Sequence, residues 1–236
     1  MMLKEKQVKQ KINNQKKAIL KNIILYFISA IVFFLCSGSI LVIRGWVYYL
    51  LVISGAVINN YFLLKYNPEV LSSRAEEGSN TKKWDKIILG FYTLIHIFII
   101  PGISGLGFRF DWLQLSAQYI FFGVLLYLVS LIIITWAMVI NKHFEGTVRI
   151  QTDRNQAVIE KGPYKYIRHP GNLGMILTSF VQPLIIGYVY TFIPGILAVI
   201  FVVIRTKLED DMLQRDLDGY IDYAERVKYR LIIKLW

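Results

Sequence analysis

Along the chain, long apolar blocks alternate with charged segments. Asn22 to Ile43 is the first block long enough to cross a bilayer. A second runs from Gly45 to Leu64 and is separated from the first only at Arg44-Gly45, which predicts a tight helical hairpin. The third block runs from Ile87 to Ile103 and the fourth from about Leu113 to Ile140. A fifth, Leu173 to Gly187, and a sixth, Tyr190 to Ile204, are shorter. At 1.5 Å per residue each reaches roughly 23 Å, less than a ~30 Å hydrocarbon core. They can still cross as one compact hairpin by thinning the bilayer or snorkelling, and the sixth is expected to continue as a helix past Arg205. The pattern predicts an all-α integral membrane protein with about six transmembrane helices. It divides into a basic arm (1–21), a transmembrane hairpin (22–65) and a core (66–236).

Composition supports this reading. Of 236 residues, 55% are hydrophobic and only 18% charged, against about 25% charged in an average soluble domain. A soluble enzyme, a disordered protein and a secreted disulfide scaffold are thereby disfavoured. The net charge is +11, which in a soluble chain would raise nucleic acid as a partner. Here its distribution gives a simpler reason. Of the 27 Lys and Arg residues, 25 fall in 1–21, 65–86, 142–168 and 205–234, and only Arg44 and Arg109 lie in the opposite loops. The positive-inside bias then predicts both termini and the large loops on the cytoplasmic side, with the bilayer as partner and no nucleic acid. The lysine-rich arm, from Lys4 to Lys21, is expected to be a partly disordered tail attracted to anionic headgroups. No cleavable signal peptide is expected. The single cysteine, Cys36, forms no intrachain disulfide, and three His without a Cys cluster predict no metal site. Gly102, Gly105 and Gly107 do not make a dinucleotide fingerprint, and there is no P-loop, GxSxG or HExxH.

Functional side chains concentrate in two cytoplasmic stretches, 141–172 and 205–236. In the first, Val148 to Gln151 reads as extended, Asp153-Arg154-Asn155 and Gly162-Pro163 as turns, and Pro170 as the start of a helix. Arg168 and His169 therefore lie in irregular backbone just before a membrane helix, where such backbone lines a cavity or is buried in protein. Donors there, with the amides of the helix start, can hold an anionic group. In the second stretch Arg205 and Glu209 share a helix face at i,i+4, and the acids from Asp210 to Glu225 read as a solvated face. The short hairpin between the stretches brings Arg168-His169 and Arg205-Glu209 to the same membrane face. His96 reads as a helix–helix hydrogen-bonding residue, with a proton relay as the alternative, and Asn59-Asn60 as interhelical glue.

Taken in order, Gly162-Pro163-Tyr164, Arg168-His169-Pro170, Gly174, Arg205, Glu209-Asp210, Leu213, Gly219-Tyr220, Tyr223 and Val227-Lys228-Tyr229-Arg230 resemble the isoprenylcysteine carboxyl methyltransferase family and its phospholipid methyltransferase relatives. Trp136-Ala137-Met138, Phe144, Val148-Arg149-Ile150-Gln151, Asn67-Pro68-Glu69 and Lys83-Trp84-Asp85-Lys86 look like its bacterial branch. The resemblance covers roughly residues 66–231 and rests on several separated motifs in the same order. It implies a membrane enzyme using S-adenosylmethionine, held in a cytoplasm-facing pocket by Gln151, Gln156, the backbone near Val158, Gly162, Pro163, Tyr164, Arg168, His169, Asn172 and Glu209. It also implies a lipidic or prenylated substrate whose carboxylate Arg205 would hold. Two positions depart from the family pattern: Asn172 replaces the Tyr of RHPxY, and Gln156 replaces a His.

Methyl transfer from a sulfonium demands proximity and orientation more than proton chemistry. A carboxylate acceptor is ionised at neutral pH and needs no base. An amine acceptor would need one, and Glu209 and His169 are the candidates. The competing readings are a non-catalytic membrane protein or transporter that kept the fold, and a sterol-type membrane reductase using NADPH. Cofactor binding separates them.

Overall fold

The structure, a computed structural model, describes residues 2–75 and 80–236; the Lys4 side chain lies outside the described residues. The described residues are helical with irregular connections and contain no strand. Helix α1 spans Met2–Ser37 and α2 Ile43–Tyr66. A short α3, Pro68–Ala75, leads toward α4, Lys83–Leu94. The chain passes from α4 through a π-helical turn, Ile95–Ile99, into α5, Ile100–Arg109, without leaving the helix axis. Helix α6 spans Gln118–Ile140, α7 Pro170–Thr178, α8 Val181–Ile186, α9 Phe192–Asp216 and α10 Tyr220–Arg226.

Among the described residues five helical segments are long and apolar enough to cross a membrane: Lys9–Ser37, Ile43–Tyr66, Lys83–Arg109, Gln118–Ile140 and Val189–Asp216. The expected fifth span is instead the shorter pair α7–α8, apolar over Pro170–Ile186 and broken at Ser179-Phe180. Pro183 and the left-handed Gly187 (φ 91°) keep α8 short. The sixth block continues past Arg205 as expected, to Asp216.

The basic arm is helical rather than partly disordered. Residues 2–37 hold no Pro or Gly, and Lys, Gln and Glu are good helix formers. The arm is also docked: Lys11 pairs with Glu69 at 3.4 Å, and Gln15 donates to the Pro68 carbonyl at 3.0 Å. The fourth span starts at Gln118, later than Leu113, because 113–115 pairs with the α8–α9 connection. Leu115 N–H donates to Gly187, Val189 N–H donates to Leu113, and Arg44 donates to the Leu115 carbonyl.

Close helix contacts set the frame around the site. At Gly105 an added Cβ would lie 2.5 Å from the Phe33 carbonyl oxygen, so only glycine lets α5 and α1 approach this far. Asn59 accepts from Thr135 at 2.9 Å and ties α2 to α6, as expected of interhelical glue. His96 differs from expectation: its Nδ1 meets the Tyr92 carbonyl of its own helix at 2.9 Å, not a neighbouring helix. Pro101 explains the π turn, since it has no N–H for the Ile97 carbonyl and its ring would crowd that turn.

Candidate functional site

At one end of the bundle the start of α4, the end of α6, the start of α7 and the end of α9 meet beneath the 141–169 segment. Val148 to Gln151, expected to be extended, forms no strand among the described residues, and Gln151 lies outside the extended region at φ −92°, ψ 67°; Val148 is held at both backbone ends. Its N–H donates to Asp85 Oδ2 at 2.7 Å, and its carbonyl accepts from Lys82 N–H at 3.1 Å. Thr152–Arg154 forms the expected turn, closed by Asn155 at φ 48°. Gly162–Lys165 forms the second, with Gly162 at φ 59° and its backbone against Trp136.

Two buried charge clusters organise this end, and each is centred on a carboxylate that sequence reasoning did not assign to the site. The first is Asp85, fully buried on α4. Arg205 donates its Nε to Asp85 Oδ1 at 2.7 Å and its Nη1 to Asn172 Oδ1 at 2.5 Å, and Nη1 lies 3.3 Å from Glu209 Oε2. Asn172 also donates to Glu209 Oε2 at 2.9 Å. The amide at this departure from the family pattern thus bridges the guanidinium and the carboxylate. Arg205 Nη2 makes no hydrogen bond with the described residues, and Arg205 lines both cavities described below.

The second cluster is Asp210, also fully buried, whereas the sequence pattern placed it on a solvated face. The correction has a physical reason: it is the shared counter-ion of the Arg168-His169 corner and the C-terminal segment. Arg168 grips it through Nε and Nη2 at 2.8 and 3.0 Å, and Arg230 Nε, Tyr220 Oη, Gln214 and His169 Nε2 also reach it within 3.0 Å. Arg168 spends its Nη1 on the Val227 and Lys228 carbonyls. Its donors are therefore largely committed to the fold. The backbones of Arg168 and His169 donate to Tyr229 and Arg230, which docks the chain end under the corner. Burial, then the Asp210 and Glu209 charges, push the Tyr220 hydroxyl up from its ordinary value, so it stays protonated as a donor.

A polar cavity of about 120 Å³ opens between these clusters and the 141–169 segment. The expected residues Gln151, Gln156, Val158, Tyr164, Arg168, His169, Asn172, Arg205 and Glu209 line it. Gly162 and Pro163 do not, and instead shape the turn that carries Tyr164. Gln156 Oε1 accepts from Gln151 N–H at 2.7 Å, so this second departure from the pattern closes the loop on itself.

His143, not among the expected residues, also lines the cavity and is 6% exposed. Neither ring nitrogen makes a well-formed hydrogen bond. Burial lowers its pKa from 6.5, the Gln151 side chain opposes this, and the Lys142 and Arg154 charges add to it. The ring is neutral at pH 7. Only its place beside Asn141 in the irregular segment could have flagged it.

A second, larger cavity of about 390 Å³ lies among α1, α2, α4, α6 and α7. It shares Phe144, Glu145, Gly171, Asn172 and Arg205 with the first. An added Cβ at Gly171 would sit 2.6 Å from the Phe144 ring, so glycine here seats that ring at the junction. Among the described residues no cluster of His, Cys, Asp and Glu could hold a metal.

Compared with known protein families, residues 121–215 match the family described as isoprenylcysteine carboxyl methyltransferase (ICMT). That segment runs from α6 through Arg205, Glu209 and Asp210. No curated protein matches the chain.

Proposed function

We propose that this membrane protein transfers a methyl group from S-adenosylmethionine to a lipidic acceptor, a carboxylate in the best-supported case, because residues 121–215 match the isoprenylcysteine carboxyl methyltransferase family. The observation that carries the reading is the junction of the two cavities at Asn172 and Arg205. A water-soluble cofactor and a membrane-borne acceptor need such a meeting point.

The smaller cavity suits the cofactor chemically. Glu209 offers a carboxylate to a cationic sulfonium or ammonium, the His143 ring nitrogens are without well-formed partners, and Tyr164 and Phe144 supply flat apolar surface. When bound there, S-adenosylmethionine would supply an electrophilic methyl group. The protein's part is to hold and orient. Asp85 and Asn172 fix the Arg205 guanidinium from two sides, leaving Nη2 to steer an acceptor carboxylate. Asp85 and Glu209 offset the Arg205 charge, and the half-buried Arg74 in the wall of the larger cavity restores positive potential toward an anionic head. Phe144 against Gly171 limits water at the junction. A carboxylate needs no general base, so the rate follows from distance and alignment. The charge asymmetry of the loops supports a cytoplasm-facing site.

The test is calorimetric titration of the purified, detergent-solubilised chain with S-adenosylmethionine and, separately, NADPH. Micromolar binding of the former, weakened at least about tenfold by Glu209→Ala, is expected, with no binding of NADPH. A folded protein that ignores S-adenosylmethionine would refute the reading.

A further inference from the structure

The larger cavity is not a plain hydrocarbon tunnel. Two hydrogen-bond acceptors in its wall have no partner among the described residues: Asn60 Oδ1 on α2 and His96 Nε2 in the π turn after α4. Asn60 is 5% exposed. The state of His96 follows from its surroundings. Its Nδ1 faces the Tyr92 carbonyl, which only accepts, so Nδ1 carries the proton. Among the described residues the ring nitrogens meet no carboxylate: Nδ1 is at the Tyr92 carbonyl and Nε2 has no hydrogen-bond partner. In a neutral ring Nε2 then presents a lone pair to the cavity. An unmet buried acceptor is costly, and the site retains two. The π turn that carries His96 is a further departure from regular helix, of a kind often found where a helix meets a ligand.

We propose that Asn60 and His96 form a recognition subsite for a hydrogen-bond donor carried on the membrane-embedded part of the acceptor, such as a hydroxyl, a phenol or an amide N–H. The site then selects functionalised amphiphiles over plain hydrocarbon chains. This deepens the proposed function and rests on its reading of Arg205 as the holder of the acceptor's carboxylate. Depth gives the spacing. His96 follows Asp85, the partner of Arg205, along one helix at about 16 Å, roughly a dozen carbons of extended chain.

The probes are 12-hydroxystearic acid and stearic acid, bound to the full chain in nanodiscs and followed by tryptophan fluorescence. The hydroxy acid is expected to bind about fivefold to tenfold more tightly. Asn60→Leu and His96→Leu should each bring the ratio toward one and leave stearic acid affinity and S-adenosylmethionine binding within about twofold. His96→Gln keeps an acceptor and should keep much of the preference. Equal binding of the two acids by the unaltered protein would overturn the proposal and assign both acceptors to trapped water. So would a preference that survives both leucine substitutions. A clear preference without S-adenosylmethionine binding would leave the subsite standing and remove the methyl-transfer reading. The reverse pattern would remove the subsite alone.

Discussion

Asp210→Asn is the sharpest test of how the site is held. The substitution keeps the shape and removes the charge. Asp210 is fully buried, and its oxygens take bonds from Arg168, Arg230, Tyr220, Gln214 and His169. In the variant the amide nitrogen replaces one acceptor oxygen and faces donors already aimed at it. Arg168, itself 6% exposed, loses its only carboxylate among the described residues. Removing one partner of a buried ion pair costs about 3–5 kcal/mol. The partly exposed Arg230, with 26% side-chain accessibility, adds little beyond that. At about 2–4 °C per kcal/mol for a chain of this size, the melting temperature should fall by roughly 10 °C. The assay is intrinsic tryptophan fluorescence on heating in one detergent at one scan rate. An acid on a solvated face would change stability by no more than about 0.5 kcal/mol. A fall of less than about 2 °C would therefore refute the assignment of Asp210 as the pin of this corner.

Arg205→Leu should abolish methyl transfer and, by stranding Asp85, lower the melting temperature. The double variant Asp85→Leu/Arg205→Leu should melt higher than Arg205→Leu alone, and strict additivity on heating would contradict a direct pair. Asn172→Ala removes the bridge between Arg205 and Glu209 and should weaken S-adenosylmethionine binding about threefold to tenfold by titration, while unchanged affinity would remove Asn172 from the site. His143 is held below its ordinary value of 6.5, so below that pH the unfolded chain takes up a proton that the folded chain resists. Stability should fall as pH drops from 7 toward the lowered folded value, and His143→Gln should flatten the fall in a melting series. Gly105→Leu should lower the melting temperature far more than Gly90→Leu, because a side chain at 105 meets the α1 backbone whereas 90 opens on free space.

Membrane character was legible in the sequence because it needs only composition and block length. The same holds for the helical continuation past Arg205 and the turns at 153–155 and 162–163, which depend on local patterns. The i,i+4 reach of Arg205 to Glu209 is likewise local. Three features were misread from local pattern. The lysine arm looked too polar to order, yet docking on α3 completes its helix. The fifth block looked continuous, yet it breaks between α7 and α8. Asp210 looked like one surface acid among several, yet donors from distant segments surround it.

By itself, then, the sequence determined the membrane-helical class, the lopsided distribution of its charges, and the stretches where chemistry-bearing residues gather. Each of these is a property of neighbouring residues or of sums along the chain. Only tertiary structure decided that Asp85 and Asp210 are the buried counter-ions, that Asn172 bridges Arg205 and Glu209, and that two cavities meet there. Asp85 and Arg205 are 120 residues apart. A carboxylate reads the same in sequence whether water or a distant guanidinium surrounds it, and packing alone chooses between them.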